Sequence, residues 1–132
     1  MGRRARSHRF LPDVYVFPGG RVDAEDHRLP VASDLRPDVA RLLAAHGGIG
    51  RARALAIAAA RETHEETGLA IGRIHDERLA PALDRLHYVM RAITPTRSPI
   101  RFHARFFVAE IGSGDGAVRS NGELLDLDWR PV

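Results

Sequence analysis

The chain has 132 residues and a mass of 14.6 kDa, one domain's length and enough for a single core. Hydrophobic residues make up 44% of it and charged ones 28%, an ordinary globular balance, and the lack of cysteine excludes both a disulfide framework and a thiolate metal site. The net charge of +3 would suit an anionic partner, but all 20 basic residues are arginines scattered among 17 acids, so the bulk charge does not point to nucleic acid.

No apolar run reaches the length of a membrane span, and "MGRRARSHRF" lacks the apolar core of a signal peptide, so a cytoplasmic enzyme or binding domain is the expectation. In chain order, Val14 to Phe17 reads as a strand running into a Pro-Gly-Gly turn. "AEDHRLPVASDL" reads as loop. "RPDVARLLAAHGG" reads as a short amphipathic helix, with Pro37 at its start and paired glycines at its stop. The Ala-rich run from about Arg51 to Thr67 predicts a long helix, with Gly68 as its left-handed C-cap. "LAIGRI" predicts a short strand, "LAPALDR" a loop, Leu86 to Ile93 a strand, and Arg101 to Ile111 a further strand in which Phe102, Phe106 and Val108 share one parity. After a Gly-rich turn region, "LLDLDWRPV" resembles a last strand. Strands ordered around one long helix predict an α/β or α+β domain with a mixed β-sheet, a single domain over residues 1–132. Phe102, Phe106, Phe107 and Tyr88 read as core rather than as a base-stacking platform.

The chemistry-bearing stretch is "RETHEETGLA", Arg61 to Ala70. Glu62, Glu65 and Glu66 share a helical face in the last turns, where the helix dipole disfavours acids. Two carboxylates about 5 Å apart repel by about 3 kcal/mol at an effective dielectric near 20. Three together raise their pKa values or attract a divalent cation, and hard cations such as Mg²⁺ prefer carboxylate and carbonyl oxygens. Against this stands the plainer reading of a solvated acidic face, and for "FPGG" that of an ordinary turn.

Taken together, the two pieces resemble the Nudix hydrolase signature, G-x5-E-x7-R-E-U-x-E-E-x-G-U with U aliphatic. The match is Gly20, Arg61-Glu62, Glu65-Glu66, Gly68 and Leu69. The spacing puts Asp26, not Glu, at the first acidic position, and Thr63 where an aliphatic residue is usual. Thirty-four residues separate Asp26 from Arg61 where the pattern has seven, an insertion of 27 within residues 27–60. Such an insertion, with "ITPTRSPIRFHARFFVAEI", is similar to a coenzyme A diphosphatase-like branch.

The resemblance implies a Nudix fold, a mixed sheet packed against the acidic helix, and hydrolysis of a diphosphate with Mg²⁺ or Mn²⁺. It implies Gly19 (through its carbonyl), Glu62, Glu65 and Glu66 as metal ligands, with one of the glutamates (Glu62 and Glu65 foremost) serving directly or through water as base, Arg61 orienting the carboxylates and Glu123 as a further ligand or base; Asp23 and Asp26 are weaker candidates. Arg4, Arg6 and Arg9 are expected to meet extra phosphates of the substrate, a small-molecule nucleoside diphosphate derivative (coenzyme A-like or ADP-ribose-like). A catalytically weak or inactive nucleotide-binding module and a nucleoside triphosphate-cleaning pyrophosphatase are the alternatives. The ends look short for the fold: a strand before "VYVF" and a helix after the Trp129 segment are expected to be missing. The bared sheet edge would favour a homodimer, and the insertion would form a lid over the metal site or a dimer contact, or be a plain surface decoration.

Overall fold

The computed structural model describes residues 1–5, 13–45, 47–97 and 102–131. Its elements are β1 (Gly2–Arg4), β2 (Tyr15–Val16), α1 (Pro37–Ala44), α2 (Gly48–Thr67), β3 (Gly72–His75), β4 (Arg78–Pro81), β5 (His87–Ile93), β6 (His103–Val108) and β7 (Leu124–Leu125), with 3₁₀ turns at Glu25–His27, Leu83–Arg85 and Ser113–Asp115. Among the described residues no helix is long and apolar enough to cross a membrane.

Helix α2 is the axis of the molecule. Ala52, Ala54, Ala56, Ala58 and Ala60 are all buried on it, with Ile57, so the helix is covered on several sides rather than along one stripe. Small side chains let its neighbours approach closely. Gly68 ends it in the left-handed conformation, φ 74°, and its N–H bonds the His64 carbonyl. Thr67 Oγ1 donates to the Thr63 carbonyl and the Arg119 N–H to the Thr67 carbonyl, so the last turn is satisfied by the loop that follows the Ser113–Asp115 turn.

Helix α1 packs on α2. Its Val39 and Leu43, with Leu35 before it, join Ile57, Ala60, Ile71, Leu83 and Leu86 in one core, against which Tyr88 and Phe107 also pack. The segment from Leu35 through α1 is thus a structural part of the core. This corrects the lid expectation: the apolar side of α1 is spent on α2 and β5, and no residue of α1 borders the acidic pocket described below.

Among the described residues the strands form three separate antiparallel groups, β2-β1-β7, β3-β4 and β5-β6, and the one parallel pairing is an isolated bridge from Ser33 to Ala82. The strand expected to be missing before "VYVF" is present. β1 runs between β2 and β7, with Gly2 opposite Val16 and Arg4 opposite Leu124. Arg3 on it pairs with Asp13 and Asp126, which ties both flanks together. The homodimer inferred from a bared edge loses that basis. No helix follows β7 among the described residues.

Strand β4 falls where "LAPALDR" predicted loop. It pairs with β3 across a two-residue turn in which Asp76 and Glu77 both have positive φ, the geometry of a primed hairpin turn. The parity expected for β6 is reversed at the core. Phe107 packs inward opposite Tyr88, while Phe106 meets the Phe17 ring edge-on at 6.1 Å on the other face, and Val108 is exposed. A bulge between Tyr88 and Met90 sets this register.

Candidate functional site

The Pro-Gly-Gly turn after β2 lies against the last two turns of α2. Gly20 approaches Glu62 so closely that a Cβ on it would stand 2.2 Å from Glu62 Oε1. Any side chain at position 20 would have to push the Glu62 carboxylate aside. The Gly19 N–H donates to Glu66 Oε2 at 2.9 Å. The sequence assigned Gly19's carbonyl to a metal; what the structure shows Gly19 doing is orienting Glu66 through its amide.

Between these parts is a pocket of about 160 Å³ bordered by Arg4, Phe17, Gly19, Gly20, Glu62, Glu66 and Glu123. Burial is the main force on its acids. Glu66 is 7% exposed, and desolvation pushes its pKa up to about 7, with the negative charges of Glu62 and Glu123 adding to the rise while the Gly19 amide and Arg4 pull it down. Burial also raises Glu62, against the opposing pull of Arg61.

Glu65 is placed differently. Its carboxylate points to Arg61, at 3.0 Å, and does not border the pocket. Arg61 lies behind the acidic face as a hub, with Nη1 donating to Glu62 at 2.9 Å and Nη2 to the Arg21 carbonyl at 3.0 Å. Its strongest partner is Asp26, 1% exposed, which accepts from Nε at 2.9 Å and from Nη2 at 3.1 Å and also binds the Asp23 N–H. That pairing holds the Arg61 guanidinium above its ordinary pKa. Asp26, expected as a weak metal candidate, is instead the buried anchor of Arg61, and Asp23 stands 3.5 Å from the same guanidinium. The spacing signal, an acid six residues beyond Gly20, had marked Asp26; its role follows from its burial.

The structure therefore gathers Arg4, Gly19, Glu62, Glu66 and Glu123 around one pocket, with Arg61 behind them and Glu65 turned aside. Arg6 and Arg9 lie outside the described residues. Phe17, which the sequence offered only as the end of a strand, borders the pocket. No three His, Asp or Glu side chains among the described residues stand together as a formed metal cage. The donor set nonetheless fits a hard divalent cation: it offers only oxygens, and its two helix acids are desolvated and repel each other.

No protein-family model matches the chain, and no curated protein does. Among solved structures it is similar to the crystal structure of a NUDIX hydrolase from Alicyclobacillus acidocaldarius, with a TM-score of 0.66 and 29% sequence identity over 96% of this chain and 67% of that one. The pocket lies where the glycine turn meets the acidic helix, the two pieces that carry the sequence signature. The chain has the Nudix hydrolase fold, and this likeness supports a Nudix-type hydrolase enzyme.

Proposed function

We propose that the chain is a Mg²⁺- or Mn²⁺-dependent hydrolase that cleaves the diphosphate linkage of a nucleoside diphosphate derivative, coenzyme A-like or ADP-ribose-like. The observation that carries this reading is the pocket where Glu62, Glu66 and Glu123 face one another beside the glycine turn. Glu62 and Glu66 would hold the cation, with Glu123 completing its oxygen set. A bound divalent cation neutralises the diphosphate and acidifies the attacking water.

The chain's own groups do the rest. The Gly19 amide fixes the direction of Glu66, and Arg61, anchored on Asp26, fixes Glu62. Arg4, which borders the pocket, would meet the substrate's anionic oxygens, and Glu123, where it does not ligate the cation, would take the proton of the attacking water. At about 160 Å³ the pocket is below the roughly 300–1,000 Å³ of sites that enclose a drug-sized ligand. It thus suits the diphosphate alone, and the nucleoside lies outside it, where Phe17 offers an exposed ring.

One observation favours the weaker alternative, a module that binds nucleotide without cleaving it: Glu65 is engaged by Arg61 instead of facing the pocket. Assaying coenzyme A, ADP-ribose and dGTP with Mg²⁺ and with Mn²⁺, and scoring phosphorylated products, separates the readings. The proposal expects metal-dependent turnover of a diphosphate derivative. A clear preference for dGTP would instead indicate triphosphate cleaning, and metal-dependent binding without products would indicate the module.

A further inference from the structure

We propose that Arg51, Arg91 and Arg105 form a second anion site, for a phosphoryl group, between the first turn of α2 and the helix-facing side of the β5–β6 hairpin. Arg91 and Arg105 are directly opposite each other in the strand register, a like-charge pair that destabilises a sheet unless something lies between or over it. They share their face with Tyr88 and Phe107, which pack on the core, so this face looks toward the helices.

Three further observations point to an anion. The Arg91 Nε is buried without a hydrogen-bond partner, while its Nη2 is engaged by His103 Nδ1 at 2.8 Å. Arg105 donates to the His103 carbonyl at 3.0 Å, and its pKa is held below the ordinary arginine value, first by burial and then by the charges of Arg91 and Arg51; no carboxylate is among the groups acting on it. Arg51 stands in the first turn of α2, which has no acidic residue and no side-chain cap, so its charge adds to the positive end of the helix instead of offsetting it. A charge-assisted phosphoryl contact to the guanidinium groups would neutralise the three cations at once.

The site is distinct from the acidic pocket. Eleven to fifteen residues of α2 separate Arg51 from Glu62 and Glu66, about 17–22 Å along the helix. A diphosphate held in the pocket does not itself span that distance, and the ligand proposed here is a separate phosphate-bearing molecule, free orthophosphate or a nucleoside monophosphate.

Calorimetric titration of the whole chain tests this, in a buffer with chelator so that no metal can hold phosphate at the acidic pocket. Orthophosphate should saturate with a Kd below about 1 mM. Arg105→Gln should weaken it at least about tenfold, the loss expected when one charge-assisted contact goes. Arg51→Gln, exposed on the helix and harmless to the core, should weaken it too and decides the matter should Arg105→Gln fail to fold. Adenosine monophosphate binding with the same affinity identifies the phosphoryl group as the whole ligand, and tighter binding identifies a nucleotide. Absence of saturation in the wild-type chain, or variants that bind as tightly as wild type, overturns the proposal.

Discussion

Arg51 stands in the first turn of α2, where the dipole favours acids, and Glu62, Glu65 and Glu66 stand in its last turns, where it favours bases. The two ends deal with the misplaced charge differently. At the acidic end the protein supplies its own compensation: Arg61 takes Glu62 and Glu65, and the Gly19 amide takes one oxygen of Glu66. At the basic end Arg53 reaches Asp34 at 3.5 Å, but Arg51 forms no ion pair among the described residues, and its charge bears on that of Arg105. A local rule broken and partly repaired marks a site that is organised before its ligand arrives. A rule broken without repair marks one that relies on the ligand.

Breaking the internal repair should have the largest effect. Arg61→Ala leaves Asp26 buried without its partner and should cost about 3–5 kcal/mol of stability, read from denaturant melts. If Arg61→Ala lost less than about 1 kcal/mol, Arg61 would not be the anchor of the acidic end.

Glu66→Gln comes next, and it should act in opposite directions on activity and on stability. Metal-dependent turnover should fall at least about 100-fold, since even outer partners of a metal are worth 10- to 100-fold. The metal-free protein, however, should melt at a higher temperature at pH 8, because the variant no longer ionises a buried acid. Equal melting temperatures would contradict the burial argument.

Gly20→Ala should leave the fold intact and cut kcat by about tenfold or more, because the new Cβ must displace the Glu62 carboxylate. A crystal structure of the variant with Glu62 unmoved would count against that reading.

The smallest effect is the slope of stability with pH. Glu66 rises from an ordinary 4.5 to about 7 on folding. Between those values the unfolded chain has released the proton and the folded chain keeps it, so stability should fall as pH rises through the window and level off above it. Saturating Mg²⁺ should flatten this slope, as should Glu66→Gln; a metal-free chain whose stability rose from pH 5 to 7 would exclude Glu66 as the group responsible.

Much of the acidic end was legible in the sequence, because α2 is a local object. Its alanines, its C-cap glycine and the three-and-four spacing of its acids all act within a few turns. The sequence also marked Asp26 by spacing alone. It could not show that Asp26 is buried under Arg61, because that pairing spans 35 positions. β1 escaped notice since "GRR" has no apolar alternation; backbone pairing on both sides and the two ion pairs of Arg3 make it a strand. β4 escaped because Asp76 and Glu77 carry none of the Asn-Gly chemistry that announces such a turn. The basic end was invisible for a related reason. Arg91 and Arg105 come into register only through the bulge at Val89, which no periodicity reveals.

The closure of α2 by the following loop has a kinetic consequence. The Arg119 amide sits in an exposed segment, yet it is bonded to the Thr67 carbonyl at 2.7 Å, as the Gly68 amide is to His64 at 2.8 Å. The Arg119 hydrogen exchanges with solvent deuterium when the loop lifts from the helix end and the Gly68 hydrogen when that end frays, and the two should exchange at similar rates, as members of one opening unit. Glu66 lies in the turn that this opening would loosen, so an ion held there should slow both amides together. Arg119 would then act as a clock, read outside the pocket, for events inside it.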